Sequence, residues 1–403
     1  MTTYSIPAHG RSDSSLSHVA VLSHDFFPWG APRVAVALVE SLTNDYLIQC
    51  EVVSLGGGEL AIPIRRLVPV HTVGRTWKQP SRGLFSLAYA MHARGYRHII
   101  LNTVISGLAV QIFKDLGFHV VALIHEMPKL IASENLLPSL IELHSKADVI
   151  VYPHKSVLHS IQAAFTDLPN KSRVLTFPQG LTRRNPYRNR IASVKEEVKS
   201  ALGIPYDFPL VLGVGICDHR KGFDLFIESA HYVNEVLGEK CHFVWVGSDG
   251  EKAYQSHMRS SNQPINTPCY LSFPGYQEDT ARYHIASDVF ALTSREDPFP
   301  NVALESLDAG VPIIAFSGTG GGADIAGEFA GRTVMAFDIS AFSEAIVDII
   351  GESQAREAIR LEIQCRIDEE YSFKAYTGKI LGLLQDCSCL GSNPISESMG
   401  LAR

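Results

Sequence analysis

The chain has 403 residues, more than one ordinary hydrophobic core accommodates, so two domains are expected. Apolar residues make up 46% and charged residues 19%, as in a packed globular protein, and a net charge of −7 argues against a nucleic-acid binder that works through overall basicity. The seven cysteines lack paired metal-ligand spacing and read as reduced thiols.

Residues 1–17 are polar and lack the apolar centre of a secretory signal, and no stretch approaches the roughly 18–20 uninterrupted apolar residues of a membrane span. A cytoplasmic location is therefore expected, with 1–17 and 387–403 as flexible tails. Short, near-continuously apolar runs follow at 18–22, 50–55, 98–101, 119–124, 149–152 and 174–177, then at 210–214, 243–246, 270–273, 289–292 and 312–316. Strands covered on both faces of a parallel sheet read this way. Helical patterns lie between them at 32–42, 107–116, 138–146, 223–237 and 302–309. Such alternation predicts α/β architecture with two doubly wound sheets of about six and five strands. The Arg-rich stretch 180–194 has no apolar periodicity and is expected to be the linker between a domain at 18–182 and a second at 195–370. A last amphipathic segment, 371–386, could return to either domain.

Several strand ends carry chemistry. The segment 23–33, SHDFFPWGAPR, joins the first strand to its helix, and Gly30 and Pro32 allow a sharp turn toward a ligand. His125 lies in IHEMP at another strand end. The segment 210–222, LVLGVGICDHRKG, ends in Arg220 and Lys221 ahead of a helix, a forked and a mobile cation suited to phosphate. The segment 293–312, TSREDPFPNVALESLDAGVP, follows a strand and opens a helix, with Pro300 at the expected first helical position. Free N–H groups at Asn301, Val302 and Ala303 would suit a diphosphate. Glu305, four residues after Asn301, shares that face, and ribose hydroxyls are its natural partners. Between Leu60 and Phe113 there is no acidic residue, yet Arg65, Arg66, Arg75, Lys78, Arg82, Arg94 and Arg97 are present with Trp77, Leu84 and Phe85 interleaved. This 65–97 band suits an anionic membrane surface, or it is a solvated face with counter-charges folded in from elsewhere.

The segment 293–312 resembles the paired-acid motif of family-4 glycosyltransferases, two acids separated by seven residues, here Asp297 and Glu305. The resemblance implies the GT-B fold, two Rossmann-like domains facing across a cleft, and retaining transfer of a sugar from a nucleotide-diphosphate donor. It implies that Glu305 binds the donor ribose and Asp297 the transferred sugar, with Glu296 placed to substitute for Asp297. The 210–222 stretch is similar to the family's donor-phosphate loop: Lys221 and Gly222 match, Ile216 replaces an expected Arg, and Arg220 is a candidate to supply the missing charge. Gly30 falls in the family's first loop, and His125 at the position that touches the donor sugar. The segment 273–277, FPGYQ with Tyr276, resembles the loop that holds the nucleobase, and 317–324 is a glycine-rich turn expected to pass close to the donor.

The expected catalytic residues are thus His125, Lys221 and Asp297, and the expected donor-binding residues Gly30, Arg220, Lys221, Tyr276, Glu296, Asn301, Val302 and Glu305. No metal or other cofactor is implied, since cations hold the leaving group and no Asp-x-Asp triplet occurs. A glycan or lipid-linked acceptor is expected, in cell-surface polysaccharide or glycolipid synthesis, with peripheral contact at the inner face of a membrane. A nucleotide-sugar epimerase on the same scaffold, or an inactive relative that binds a partner, are the alternatives. A nicotinamide dehydrogenase is disfavoured because no complete glycine fingerprint follows any strand.

Overall fold

In the computed structural model, residues 16–74, 82–238, 240–248, 250, 269–352 and 356–386 are described. Arg75, Trp77 and Lys78 of the basic band, and the tails 1–15 and 387–403, lie outside the described residues. The first sheet comprises β1 (His18–Ser23), β2 (Gln49–Ser54), β3 (Val70–Thr72), β4 (His98–Asn102), β5 (His119–Leu123), β6 (Val149–Tyr152) and β7 (Arg173–Thr176). These run parallel in the order β3-β2-β1-β4-β5-β6-β7. Its helices are α1 (Gly30–Asn44), α2 (Ala61–Ile64), α3 (Arg82–Ala93), α4 (Val110–Asp115), α5 (Pro128–Ser133), α6 (Leu137–Lys146) and α7 (Lys155–Ala164).

The second sheet comprises β8 (Leu210–Val214), β9 (His242–Val246), β10 (Leu271–Gly275), β11 (Val289–Leu292), β12 (Ile313–Phe316) and β13 (Arg332–Val334), also parallel, in the order β10-β9-β8-β11-β12-β13. Around it lie α8 (Ile191–Ala201), α9 (Phe223–Leu237), α10 (Ala281–Ala286), α11 (Asn301–Asp308), α12 (Gly321–Glu328), α13 (Ile339–Gly351) and α14 (Arg356–Glu370). The expected counts of six and five strands are corrected to seven and six. The two additions, β3 and β13, are three-residue edge strands reading VHT and RTV, half-exposed and too polar to form an apolar run.

Continuous apolar runs arise because each strand feeds two cores at once. In β1, Ala20 and Leu22 pack with α3, α4 and α6, whereas Val19 and Val21 pack with α1 on the opposite face. The second sheet is sandwiched the same way, with Leu210 and Leu212 in one core and Val211 in the other.

The boundary expected at 195 moves forward to Leu181. Leu181, Tyr187 and Ile191 pack into the second domain's core, Asn185 is buried, and Arg188 pairs with Asp308 and Asp368. Arg184 and Arg188, read as linker, therefore clasp acids more than a hundred residues away in sequence. The last helix, α15 (Phe373–Gln385), returns to the first domain: Tyr376, Ile380, Leu381 and Leu384 pack beside Leu38 and Leu42. Each fully buried side chain of this kind stabilises the packing by about 1.5–3 kcal/mol.

The chain thus crosses between domains twice, at one place. The Leu181 N–H donates to the Tyr371 carbonyl at 2.8 Å, and a Cβ at Gly180 would lie 2.4 Å from the Phe373 Cα. Only glycine lets the two crossings touch. Gly180→Val is expected to force them apart and to cost about 1–3 kcal/mol. Urea unfolding measures this, and unchanged stability would remove the crossing contact from the account.

Candidate active site at the switch points

Strand order reverses between β1 and β4 in one sheet and between β8 and β11 in the other, and loops after such strands diverge to leave a crevice. The two sheets turn these edges toward each other. In the second domain, the loop after β8 brings Lys221 and the loop after β11 brings Asp297, and Lys221 Nζ lies 2.5 Å from Asp297 Oδ2 with both side chains largely buried. The loops are stitched together by Arg295 N–H to the Arg220 carbonyl at 2.8 Å, Thr293 Oγ1 to the Lys221 carbonyl at 3.0 Å, and Arg220 Nη1 to the Glu296 carbonyl at 3.2 Å. Gly222 has φ +69° and its Cβ position lies 2.0 Å from the Thr293 oxygen, so no other residue fits between them.

Asp297 and its neighbours rest on the glycine-rich turn: Asp297 N–H donates to the Thr319 carbonyl at 2.8 Å and Gly321 N–H to the Pro298 carbonyl at 2.9 Å. The turn therefore supports the acid's loop from behind. Pro300 is the N-cap of α11 and Asn301 its first helical residue, one position later than expected. Ala303 is corrected as a free donor, because its N–H is taken by the Pro300 carbonyl at 3.1 Å, a tight first turn. The N–H groups of Asn301 and Val302 remain without partners among the described residues.

Glu305, one turn further along α11, faces the buried His284, whose Nε2 is 3.5 Å from Glu305 Oε2 while Nδ1 lies 2.7 Å from Ser306 Oγ. Burial alone would raise the Glu305 carboxyl. The His284 ring 3.5 Å away and the charges of Arg33 and Arg183 outweigh it and hold the group below the usual carboxylate range. Glu305 also lines a cavity of about 370 Å³ between the domains, walled by Arg33 and Glu40 of α1, Arg183 of the crossing, and Asp279 and Thr280 ahead of α10. Tyr276 is exposed and does not line this cavity.

The first domain closes the other wall. His125 lies two residues beyond β5, with Nε2 2.9 Å from Asn102 Oδ1. Burial first, and the neighbouring His24 second, lower its pKa to about 4, so the ring is neutral at physiological pH. Glu126, buried behind it, accepts from the N–H groups of Val104 and His125, each at 3.0 Å. Burial pushes its carboxyl up to about 7 against those two hydrogen bonds. It steadies Thr103, a β-branched residue at φ +100°.

Several polar contacts among the described residues bridge the cleft. Asn301 Nδ2 donates to the Gly30 carbonyl at 3.1 Å, Gln179 Nε2 donates to Asn301 Oδ1, and His154 Nδ1 lies 3.0 Å from Asp324 Oδ2. Glu296 Oε1 accepts from Lys129 N–H at 3.1 Å, at the N-terminus of α5. Glu296 is thus committed to the opposite wall, and Asp297 alone meets Lys221. Sequence reasoning passed over Asn102, Glu126, Arg33, Arg183, Gln179 and His284. Strand-end position was an available signal for the first two, whereas His284 and Gln179 carry none.

Residues 194–363 match the family model described as glycosyl transferases group 1. The chain is 27% identical over 186 residues to the lipopolysaccharide core biosynthesis glycosyltransferase LpsE of Rhizobium meliloti (strain 1021), covering 46% of this chain and 52% of that protein. It is 25% identical over 266 residues to the putative teichuronic acid biosynthesis glycosyltransferase TuaC of Bacillus subtilis (strain 168), covering 59% of this chain and 63% of that one. The chain therefore spans about half to two thirds of these relatives' lengths. Among solved structures, Anabaena HepE in complex with UDP and glucose superposes with a TM-score of 0.73 at 17% identity, covering 91% of this chain and 99% of that one. The lipopolysaccharide-biosynthesis glycosyltransferase WaaG superposes at 0.68 and 16% identity, covering 91% and 100%. The fold is GT-B.

Glu126 yields a pH test. Between about 4.5 and 7 the folded carboxyl keeps a proton that the unfolded chain has released, so the native state loses stability as pH rises through that window. Glu126→Gln removes the penalty. The variant should exceed wild type by up to about 3 kcal/mol at pH 8, with the gain fading toward pH 5. Urea titrations at the two pH values decide it, and a difference independent of pH would refute the assignment.

Proposed function

We propose that this chain is a retaining glycosyltransferase of the family-4 kind, transferring a sugar from a nucleotide-diphosphate donor to a glycan or lipid-linked acceptor in cell-surface polysaccharide or glycolipid synthesis. The observation that carries the reading is the meeting of Lys221 and Asp297 from the two strands beside the switch point, next to the open N-terminus of α11. Lys221 has three donors on one ammonium, so it can hold Asp297 and a phosphate oxygen together. The Asn301 and Val302 N–H groups and the α11 dipole add to the positive field that a departing diphosphate needs. Asp297, fixed by Lys221, is placed to accept from a hydroxyl of the transferred sugar.

The nucleoside fits the cavity beside Glu305, whose ionised carboxylate suits the two ribose hydroxyls, while 370 Å³ lies within the range of small-ligand sites. UDP in the HepE structure supports a nucleotide-diphosphate donor. Cations and backbone dipoles hold the leaving group in this reading, without a metal or other cofactor. Contacts across the cleft exclude water and favour transfer over hydrolysis.

The acceptor side offers a second observation. In the basic band Arg94 is neutralised by Glu51 at 2.6 Å, but Arg65 and Arg66 are exposed and form no ion pair among the described residues. Ile62 and Leu67 are exposed beside them in the chain, whereas Phe85 and Tyr89 are exposed one turn apart on α3, which packs on the other face of the sheet. Apolar groups beside unpaired cations support peripheral contact with an anionic membrane on the cytoplasmic side. No helix among the described residues is long and apolar enough to cross a membrane.

Three measurements test these statements. A panel of nucleotide sugars should raise the melting temperature only for the true donor, and stabilisation by none would sink the donor reading. Lys221→Ala should lower transfer by about 10²–10³-fold while leaving a folded protein, and wild-type turnover would refute its phosphate role. Conversion of the donor without any acceptor would instead indicate an epimerase. In low salt the protein should float with anionic liposomes, and Arg65→Glu with Arg66→Glu should weaken flotation. Equal flotation with neutral lipid would refute the electrostatic contact.

A further inference from the structure

Asn102 ends β4 at the switch point, fully buried, opposite Ser23 of β1. Its carboxamide touches three separate segments. Nδ2 lies 2.9 Å from the Ala31 carbonyl oxygen and 3.4 Å from Ser23 Oγ, and Oδ1 lies 2.9 Å from His125 Nε2. A backbone carbonyl can only accept, so the amide nitrogen must face Ala31; the flipped amide would set two oxygens against each other. Oδ1 therefore faces His125, and because it too can only accept, the shared proton belongs to His125 Nε2. A neutral imidazole carries one N–H, which leaves Nδ1 a bare lone pair. Nδ1 bonds to no described residue and is not sealed from solvent.

We propose that Asn102 is a positioning residue that fixes His125 as its Nε2–H tautomer, so that the ring offers Nδ1 as an acceptor to a hydroxyl in the cleft. The assignment excludes other ligand groups at this point. A lone pair repels phosphate and carboxylate oxygens and attracts O–H, so the hydroxyl-bearing part of a ligand belongs here and its anionic part beside Lys221. The neutrality of the ring, set by burial and by His24, agrees with this, since an imidazolium would invite the diphosphate to the wrong wall. The same amide also pins the first turn of α1 through Ala31, and the neighbouring Gly30 carbonyl receives Asn301 of the other domain. Tautomer and cleft wall are thereby set by one side chain.

The identity of the hydroxyl rests on the glycosyltransferase reading; the tautomer does not. Full-length protein labelled with ¹⁵N-histidine tests the tautomer by nuclear magnetic resonance, His125 being identified by the signals lost in His125→Gln. A pyridine-type Nδ1 and a pyrrole-type Nε2 bearing a slowly exchanging proton are expected. Asn102→Leu should speed exchange of that proton by about tenfold or more, the loss of one hydrogen bond. A pyrrole-type Nδ1 in wild type, or unchanged exchange in Asn102→Leu, would overturn the proposal. For the hydroxyl, donors lacking single sugar hydroxyls are compared in wild type and His125→Gln. One position should lose binding in wild type and no further binding in the variant. Equal penalties at every position would overturn the hydroxyl assignment and leave the tautomer standing.

Discussion

The double crossing between the domains is the constraint from which the rest of the site follows. The chain leaves the first domain at Gly180 and re-enters it at Phe373, with Leu181 hydrogen-bonded to Tyr371 where the two passages touch. Two tethers at one point restrict the sheets far more than a single linker would, because a second fixed connection removes most of the relative freedom of the bodies it joins. The carboxyl edges of both sheets consequently face each other. Residues 167 and 170 positions apart, Lys129 with Glu296 and His154 with Asp324, become neighbours.

Within the cleft, charge is divided between the walls. The second domain supplies the ionised groups: Lys221 paired with Asp297, and Glu305 held anionic by His284, Arg33 and Arg183. At His125 and Glu126 the first domain supplies neutral or hydrogen-bonded ones, while its Arg33 and Glu40, on α1, bring charge to the Glu305 cavity. His125 is uncharged, and Glu126 is buried with a raised pKa and spends one oxygen on two backbone N–H groups. Such a division makes chemical sense for a ligand with an anionic end and a hydroxylated end. A charge buried on the neutral wall would cost several kcal/mol without a partner. Thr103, at φ +100°, lies in this wall beside Val104, whose N–H donates to Glu126, and its own N–H donates to the Leu123 carbonyl.

The cleft is bridged by few contacts, and these are of modest strength. Asn301 to Gly30 and Glu296 to Lys129 are single hydrogen bonds, each contributing roughly 0.5–3 kcal/mol. Bridges of that size can open and close, whereas the α15 packing, with four buried apolar side chains, holds the crossing fixed. Lys221 and Asp297 hold each other within the cleft, so neither charge is left without a partner.

Elements buried on both faces announced themselves in the sequence, since period-2 strands feeding two cores must be apolar throughout; runs such as 149–152, 210–214 and 289–292 coincide with β6, β8 and β11. The edge strands β3 and β13, half-covered and short, left no such trace. Around Asp297 and Glu305 the spacing was legible because one helix and its cap set it locally. The placement of Glu296, the support of Asp297 by the glycine turn, and the Asn102–His125 pair were not, because each depends on a partner distant in sequence, while the loss of Ala303 as a donor follows from a tight first turn that residue types alone do not specify. Sequence by itself determined the two parallel sheets and the acids and cations at their carboxyl ends, since periodicity, turn residues and helix starts are local properties. Which of those groups meet, which are ionised and which cross the cleft was decided only by the tertiary structure, because hydrogen-bond pairing and desolvation depend on distances that the chain order does not contain.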